Sequence, residues 1–275
     1  MQQEQPQSLE TSSGMLGENL VPDILSLTLQ IVNVQFIGTP GESSDWVLID
    51  AGMPGSMERI VEVAEQRFGS NRPPKAIILT HGHFDHVGAF PELLEKWDVP
   101  VYAHPLEIPY LTGREEYPPP DPTVGGGLLA GMSFLFPNDP IQLGSSVQAL
   151  PEDGSVPFLE GWKWLHTPGH TKGHISLFRE ADRVVLAGDA FITVKQESLF
   201  SVLTQEPILH GPPWYFTPDW EAAEDSVRRL ADLKPAVAYT GHGWPMSGDV
   251  LTQGLELLAR DFKTLGKPQS GRYVH

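Results

Sequence analysis

Thr80-His81-Gly82-His83-Phe84-Asp85-His86 follows directly on the apolar run Ala76-Ile77-Ile78-Leu79. The apolar run reads as a strand, and the polar stretch as what emerges from its end. At an extended strand end, residues two apart point the same way, so His81 and His83 are placed to hold one ion together. Asp85 and His86 come after the chain turns and are placed to hold a second ion nearby. Imidazole nitrogen and carboxylate oxygen without thiolate suit zinc or iron. A lone histidine in a turn is ordinarily a surface or hydrogen-bonded residue. Four metal-competent side chains crowded at one strand end need a different account.

Three distant segments repeat the pattern. His170 lies in HTPGHTKGH after Trp162-Lys163-Trp164-Leu165. Asp189 lies in LAGDAF after Arg183-Val184-Val185-Leu186, and His242 in YTGHGWP after Ala236-Val237-Ala238-Tyr239. Each is a histidine or aspartate just past a short strand-like run, with glycine beside it. Small residues let the backbone crowd around an ion, and strand ends deliver ligands to one edge of a sheet.

The order HxHxDH, then His170, Asp189 and His242, with the phrases THGHFDHVGAF, TPGHTKGHISLF and LAGDA, resembles the metallo-β-lactamase-fold hydrolases. That superfamily includes the glyoxalase II-like and lactonase-like enzymes. The resemblance runs from about Asp50 to His242; its motifs are specific for the superfamily and weakly specific for substrate. It implies an α+β fold, an αββα sandwich of two mixed β-sheets flanked by helices. Carried over residue by residue, it implies that His81, His83 and His170 hold one ion. Asp85, His86 and His242 hold a second, and Asp189 bridges the two. The implied cofactors are two divalent ions, zinc first, with iron or manganese as alternatives. The implied activity is a hydrolase in which a hydroxide between the ions attacks a carbonyl carbon of a small ester, lactone or thioester. Asp85 doubles as the residue that orients the nucleophile.

Substrate is less well marked. Acyl-homoserine lactonases carry a tyrosine shortly after the bridging aspartate, whereas here Asp189 is followed by Ala190-Phe191-Ile192-Thr193. Tyr215 or Tyr110 is left as a substitute. The basic residues with which glyoxalase II-type thioesterases hold glutathione find no clear match. β-Lactamase or phosphodiesterase activity at the same site stands as an alternative, although family β-lactamases are exported. A mono-iron persulfide dioxygenase is a further alternative that the full set of seven ligands disfavours. AGDAFITVKQES, GPPWYFTPDW and SLFRE are similar to a less studied group of bacterial hydrolases of the superfamily.

Composition narrows the partners. Lys and Arg number 18 against 35 Asp and Glu, a net charge of −17 spread along the chain. Nucleic acid is therefore an unexpected partner, and a small-molecule substrate the expected one. There is no cysteine, hence no disulfide and no thiolate ligand. No apolar run approaches the roughly 18 residues of a membrane span. The start MQQEQPQSLETSSGM lacks a basic segment and an apolar core, which sets the expectation of no signal peptide and a cytoplasmic location.

Residues 1–20 are expected to form a flexible arm, and 21–275 one domain with a long loop insertion at 106–159. That insertion holds Tyr110, Leu128, Leu129, Met132, Phe134 and Phe136, and is expected to be an ordered flap over the substrate, with a homodimer contact as its competing role. A second candidate wall is Phe191–Phe216. Ile24–Ile37 alternates like a strand, and Asp45–Ile49 like another. Ser56 is expected to cap a helix over Met57–Phe68 with Gly69 beyond it, and Pro91 to begin one ending near Trp97. Thr217-Pro218 is expected to start a helix running to about Leu233, and Asp249 to cap the last helix. Asp50, in VLIDAG, is either a turn former or a carboxylate that supports the ligands. His104 and His174 are expected in structural or supporting roles; His166, His210 and His275 at the surface or in loops.

Overall fold

The computed structural model describes residues 10–11, 14–15, 18–41, 44–125, 127–133, 147–195 and 208–275. Strand alternation explains the layering. In β6 (Val47–Ile49), β7 (Ala76–Ile78) and β13 (Val184–Leu186), the outer two residues of each strand face one way and the middle one the other. Val47, Ile49, Ala76, Ile78, Val184 and Leu186 meet in one buried cluster between two sheets, with Ile24, Ile37, Ile175, Leu177 and Tyr239. Leu48 and Ile77 turn outward to a second cluster with Ile60, Val63 and Phe68 of α1 (Met57–Phe68) and Leu93 of α3 (Phe90–Lys96). Val185 turns outward on the other side, to Trp220, Ala223, Val227 and Leu230 of α6 (Trp220–Asp232) and Leu251, Leu255 and Leu258 of α7 (Gly248–Arg260). Helix, sheet, sheet and helix therefore stack in four layers, the expected αββα sandwich.

The first sheet has the order β3-β4-β5-β6-β7-β8-β9, comprising Glu18–Val21, Ile24–Leu29, Val32–Ile37, β6, β7, Val101–Ala103 and Val147–Ala149. The second has the order β10-β11-β12-β13-β14-β15, comprising Ser155–Val156, Leu159–His166, Ile175–Arg179, β13, Val237–Tyr239 and Met246–Ser247. Both are mixed: β6, β7, β8 and β9 pair in parallel, as do β13 and β14, and the other neighbours are antiparallel. A two-residue pair, β1 (Glu10–Thr11) with β2 (Gly14–Met15), precedes them. No helix among the described residues is long and apolar enough to cross a membrane.

Several expectations shift by a few residues. Ile24–Ile37 is a hairpin rather than one strand; the chain reverses at Gln30, whose φ is 61°, with neither glycine nor proline to announce it. Ser56 occupies the cap position of α1, but its side chain makes no capping bond. Asp219 caps α6 by accepting from Ala222 N at 3.0 Å, and Ser247, not Asp249, stands at the cap of α7. The stretch 106–159 contains α4 (Ile108–Leu111), α5 (Leu128–Gly131), β9 and β10, so strand pairing accounts for its later part.

Candidate metal centre

The ends of β7, β11, β13 and β14 lie along one edge of the sandwich and bring the seven candidate ligands together. His81 to His86 follow β7 directly, and α2 (Phe84–Val87) turns Asp85 and His86 back toward the centre. His170 sits between β11 and β12, Asp189 follows β13, and His242 follows β14. All seven side chains are buried. Their donor atoms form three groups, each with its atoms within 4.8 Å of one another: His81, His83 and His170; Asp85, His86 and His242; and His81, His86 and Asp189. Asp189 stands between the first two groups. Its Oδ2 lies 3.4 Å from His170 Nε2 and 3.2 Å from His242 Nε2, and its Oδ1 lies 3.6 Å from His86 Nε2. Asp85 Oδ2 is 3.5 Å from His242 Nε2. Gly241 is required by this crowding, since a Cβ there would run into Asp189 and would lie 2.8 Å from His86 Cε1.

The residues fit a cation. His81 Nε2, His86 Nε2 and Asp189 Oδ1 are buried with no hydrogen-bond partner, which is costly unless something positive engages them. Burial holds the pKa of His83 down to about 3, and burial with neighbouring imidazoles holds His81 and His170 well below the ordinary histidine range. These three are neutral near pH 7, the state in which imidazole binds a metal. His86 and His242 go the other way. Burial opposes their protonation, but Asp189 and Asp85 outweigh it and raise both. Asp189 is itself held well below the usual carboxylate range, burial being outweighed by His242 and His86. Carboxylates and imidazoles thus balance around a position that favours positive charge.

A layer of supporting bonds sets the direction of four of the five candidate imidazole ligands. Asp50, with φ of 61° just after β6, accepts from Thr80 N at 2.7 Å and Thr80 Oγ1 at 2.7 Å, and its Oδ2 lies 2.8 Å from His86 Nδ1. It therefore supports the ligands rather than merely forming a turn. Thr80 Oγ1 is also 3.1 Å from His81 Nδ1, and Thr217 Oγ1 is 3.1 Å from His170 Nδ1. His242 Nδ1 donates to the Ile31 carbonyl at 2.6 Å. His174 is buried beside the ligands: its Nε2 accepts from Asp189 N at 2.9 Å, and its Nδ1 donates to Thr167 O at 3.0 Å. Such outer bonds fix tautomer and ring orientation.

The remaining histidines separate from this group. His104 and His166 stack on each other at 4.3 Å, and His166 ends strand β11 instead of lying in a loop. His210 lies in a loop, as expected, but is buried there rather than at the surface, its Nδ1 donating to Gly211 O. The phenols also rearrange. Tyr110 stacks on Tyr117 and Tyr215 packs on Phe216, each one ring behind an aromatic that meets His83 at 4.7 Å. Phe134 and Phe136 of the expected flap lie outside the described residues, and Met132 is exposed. Glu107, Tyr117 and Asn33 carry no signature of a site role in the sequence, and Thr217 reads only as a helix start, because each stands alone with no periodic or spaced partner.

A family model described as the metallo-beta-lactamase superfamily matches residues 27–242. The chain belongs to that superfamily. Within it, the probable metallo-hydrolase YflN of Bacillus subtilis (strain 168) is 57% identical over 249 residues, 90% of this chain and 94% of the relative. The probable metallo-hydrolase YybB of the same organism is 30% identical over 204 residues, 74% and 77% of the two chains. Among solved structures, TTHA1623 in a di-iron-bound form is 28% identical, with a TM-score of 0.54 over 86% of this chain and 96% of that one. BLEG-1, a B3 metallo-beta-lactamase, has a TM-score of 0.60 over 88% and 98%, but at 21% identity the likeness is one of fold.

Proposed function

We propose that this superfamily member is a dinuclear-metal-dependent hydrolase acting on the carbonyl carbon of a small ester, lactone or thioester. The observation that carries this is the pair of buried three-residue donor groups with Asp189 between them. His81, His83 and His170 would hold one ion, Asp85, His86 and His242 the other, and Asp189 would bridge. Bound there, two divalent ions supply a water acidified to react near neutral pH and a Lewis acid for the substrate carbonyl. The chain's own part is to present neutral imidazoles from His81, His83 and His170, to hold ligand rings through Asp50, Thr80, Thr217 and Ile31 O, and to offset cationic charge with buried carboxylates. Asp85, whose Oδ2 lies 3.5 Å from His242 Nε2, would also orient the attacking water. Zinc is the first expectation for the metal. The di-iron form of TTHA1623 keeps iron beside it.

Elemental analysis of freshly purified protein should give about two ions of zinc, iron or manganese per chain. A fully active sample holding one would remove the dinuclear claim. Loaded protein should turn over at least one member of a panel of esters, lactones and thioesters, with β-lactams and phosphodiesters as the contrasting arms. Asp189→Ala should lose metal and nearly all turnover while its far-ultraviolet circular dichroism stays unchanged; turnover within a few-fold of the parent would end the bridging role.

A further inference from the structure

We propose that Glu107 is a positioning residue for the first ion, one carboxylate that clamps together the two loops carrying His81, His83 and His170. Glu107 is fully buried just before α4. Its Oε1 accepts from Thr171 Oγ1 at 2.6 Å and from Gly173 N at 2.8 Å. Its Oε2 accepts from Gly82 N at 3.1 Å and from the Tyr117 hydroxyl. Gly82 stands between His81 and His83, and Thr171 and Gly173 follow His170. All four partners are donors; Gly82 on one side and Thr171 and Gly173 on the other belong to loops that come from different sheets, and Tyr117 joins them from the segment after α4.

Three features make this more than a buried turn. First, a carboxylate is costly to bury unless its lone pairs are engaged, and here both oxygens are doubly engaged, three of the four donors coming from the ligand loops and the fourth from Tyr117. Second, the contact leaves no room for other residues. A Cβ at Gly82 would lie 2.5 Å from Tyr117 Oη and 2.8 Å from Leu111 Cδ2; one at Gly173 would lie 2.7 Å from Glu107 N and 2.9 Å from Glu107 Cγ. The glycine inside the HGH motif is thus explained by what presses on it. Third, the loops meet on the far side of the clamp, where His83 Nδ1 and His170 Nε2 approach to 2.9 Å. Tyr117 adds to the same function, its ring packed on His83 while its hydroxyl, also accepting from Gly82 N at 3.0 Å, joins Glu107. The clamp sets the distance between the two loops and so the fit of the first ion, leaving the second group untouched.

The inference rests on the two-ion reading above, and its test separates the two. Glu107→Gln keeps the volume but turns an NH2 group toward donors. Cobalt(II) is titrated into chelator-treated parent and variant in competition with a coloured chelator, with thermal melts of the metal-free proteins alongside. The parent should show two binding steps. In the variant one step should weaken by roughly 10–100-fold and the other should hold within a few-fold, as expected when a partner of metal ligands is lost. Tyr117→Phe and Thr171→Val each remove one of the four donors and should weaken the same step by less. Two equally weakened steps, or two unchanged ones, would overturn the clamp. Should Glu107→Gln fail to fold, the two single-donor variants decide it, and an unchanged first step in both overturns the proposal. A parent that takes up no cobalt would instead refute the metal-site reading itself.

Discussion

At the scale of the residue, the ligands and their supports were unequally visible. HxHxDH stands out because its side chains and spacing suit a metal site; Asp50 and His174 can be suspected from their neighbourhoods. Glu107 and Thr217 carry no such signature, since a single glutamate or threonine in a loop has the same local sequence whether its partners come from across the fold or from water. His174 yields a test of its own. Burial, only partly countered by Asp189, lowers its pKa to about 4 from an ordinary 6.5. Between those values the unfolded chain binds a proton at this position and the folded chain does not, so acidification favours unfolding. The contribution is fully present above about pH 6.5, is lost as pH falls to about 4, and totals on the order of 3 kcal/mol. His83, lowered to about 3, and His81 and His170 act in the same direction. Chelator-treated protein should therefore melt at progressively lower temperature across that range, and His174→Gln should show a shallower slope by one proton. An identical slope in the two proteins would mean that His174 is not held neutral.

At the scale of the element, the β4–β5 hairpin is the part the sequence concealed and the site depends on. Asn33 is the second residue of β5, and its Nδ2 donates to Thr240 O at 2.9 Å and Gly243 O at 2.6 Å, while its backbone N–H donates to Gly241 O at 2.7 Å. With the Ile31 carbonyl on His242 Nδ1, the hairpin cradles the loop after β14. Alternation over Ile24–Ile37 shows which residues face the core, but a reversal at Gln30 without glycine or proline leaves no mark in composition. Long helices are more legible: Trp220, Ala223, Val227 and Leu230 recur at helical spacing and are buried on one face, because helical periodicity accumulates over several turns. Asn33→Ala would leave Gly243 O without the Asn33 donor and Thr240 O with the longer bond from Gln35 Nε2 at 3.4 Å. The expected cost is about 1–3 kcal/mol in urea unfolding, with weaker binding of the second ion. If neither stability nor metal titration changes, the hairpin is not what holds His242.

At the scale of the molecule, the candidate ligands come from both sheets: His81 to His86 from the first, and His170, Asp189 and His242 from the second. An ion that binds this folded edge and not the unfolded chain stabilises the whole by mass action, by about 2.7 kcal/mol at 100 times its dissociation constant. The melting temperature of chelator-treated protein should thus climb steadily with added zinc, and His86→Ala and His170→Ala, one from each sheet, should each flatten the climb. A melting temperature indifferent to zinc would refute the shared site. The span between the Ile31 carbonyl and His242, 211 residues, also bears on how the molecule comes into being. Synthesis runs from the N-terminus, so the hairpin exists long before the histidine it will receive. Throughout that interval Asp85 and His86 form an incomplete and weak claim on an ion, and the loop that closes it must be gathered in over most of the chain's length. Metal capture at the proposed site would on this account be a late event in the life of each newly made molecule, a sign that the last strands have docked rather than the seed around which the first ones form.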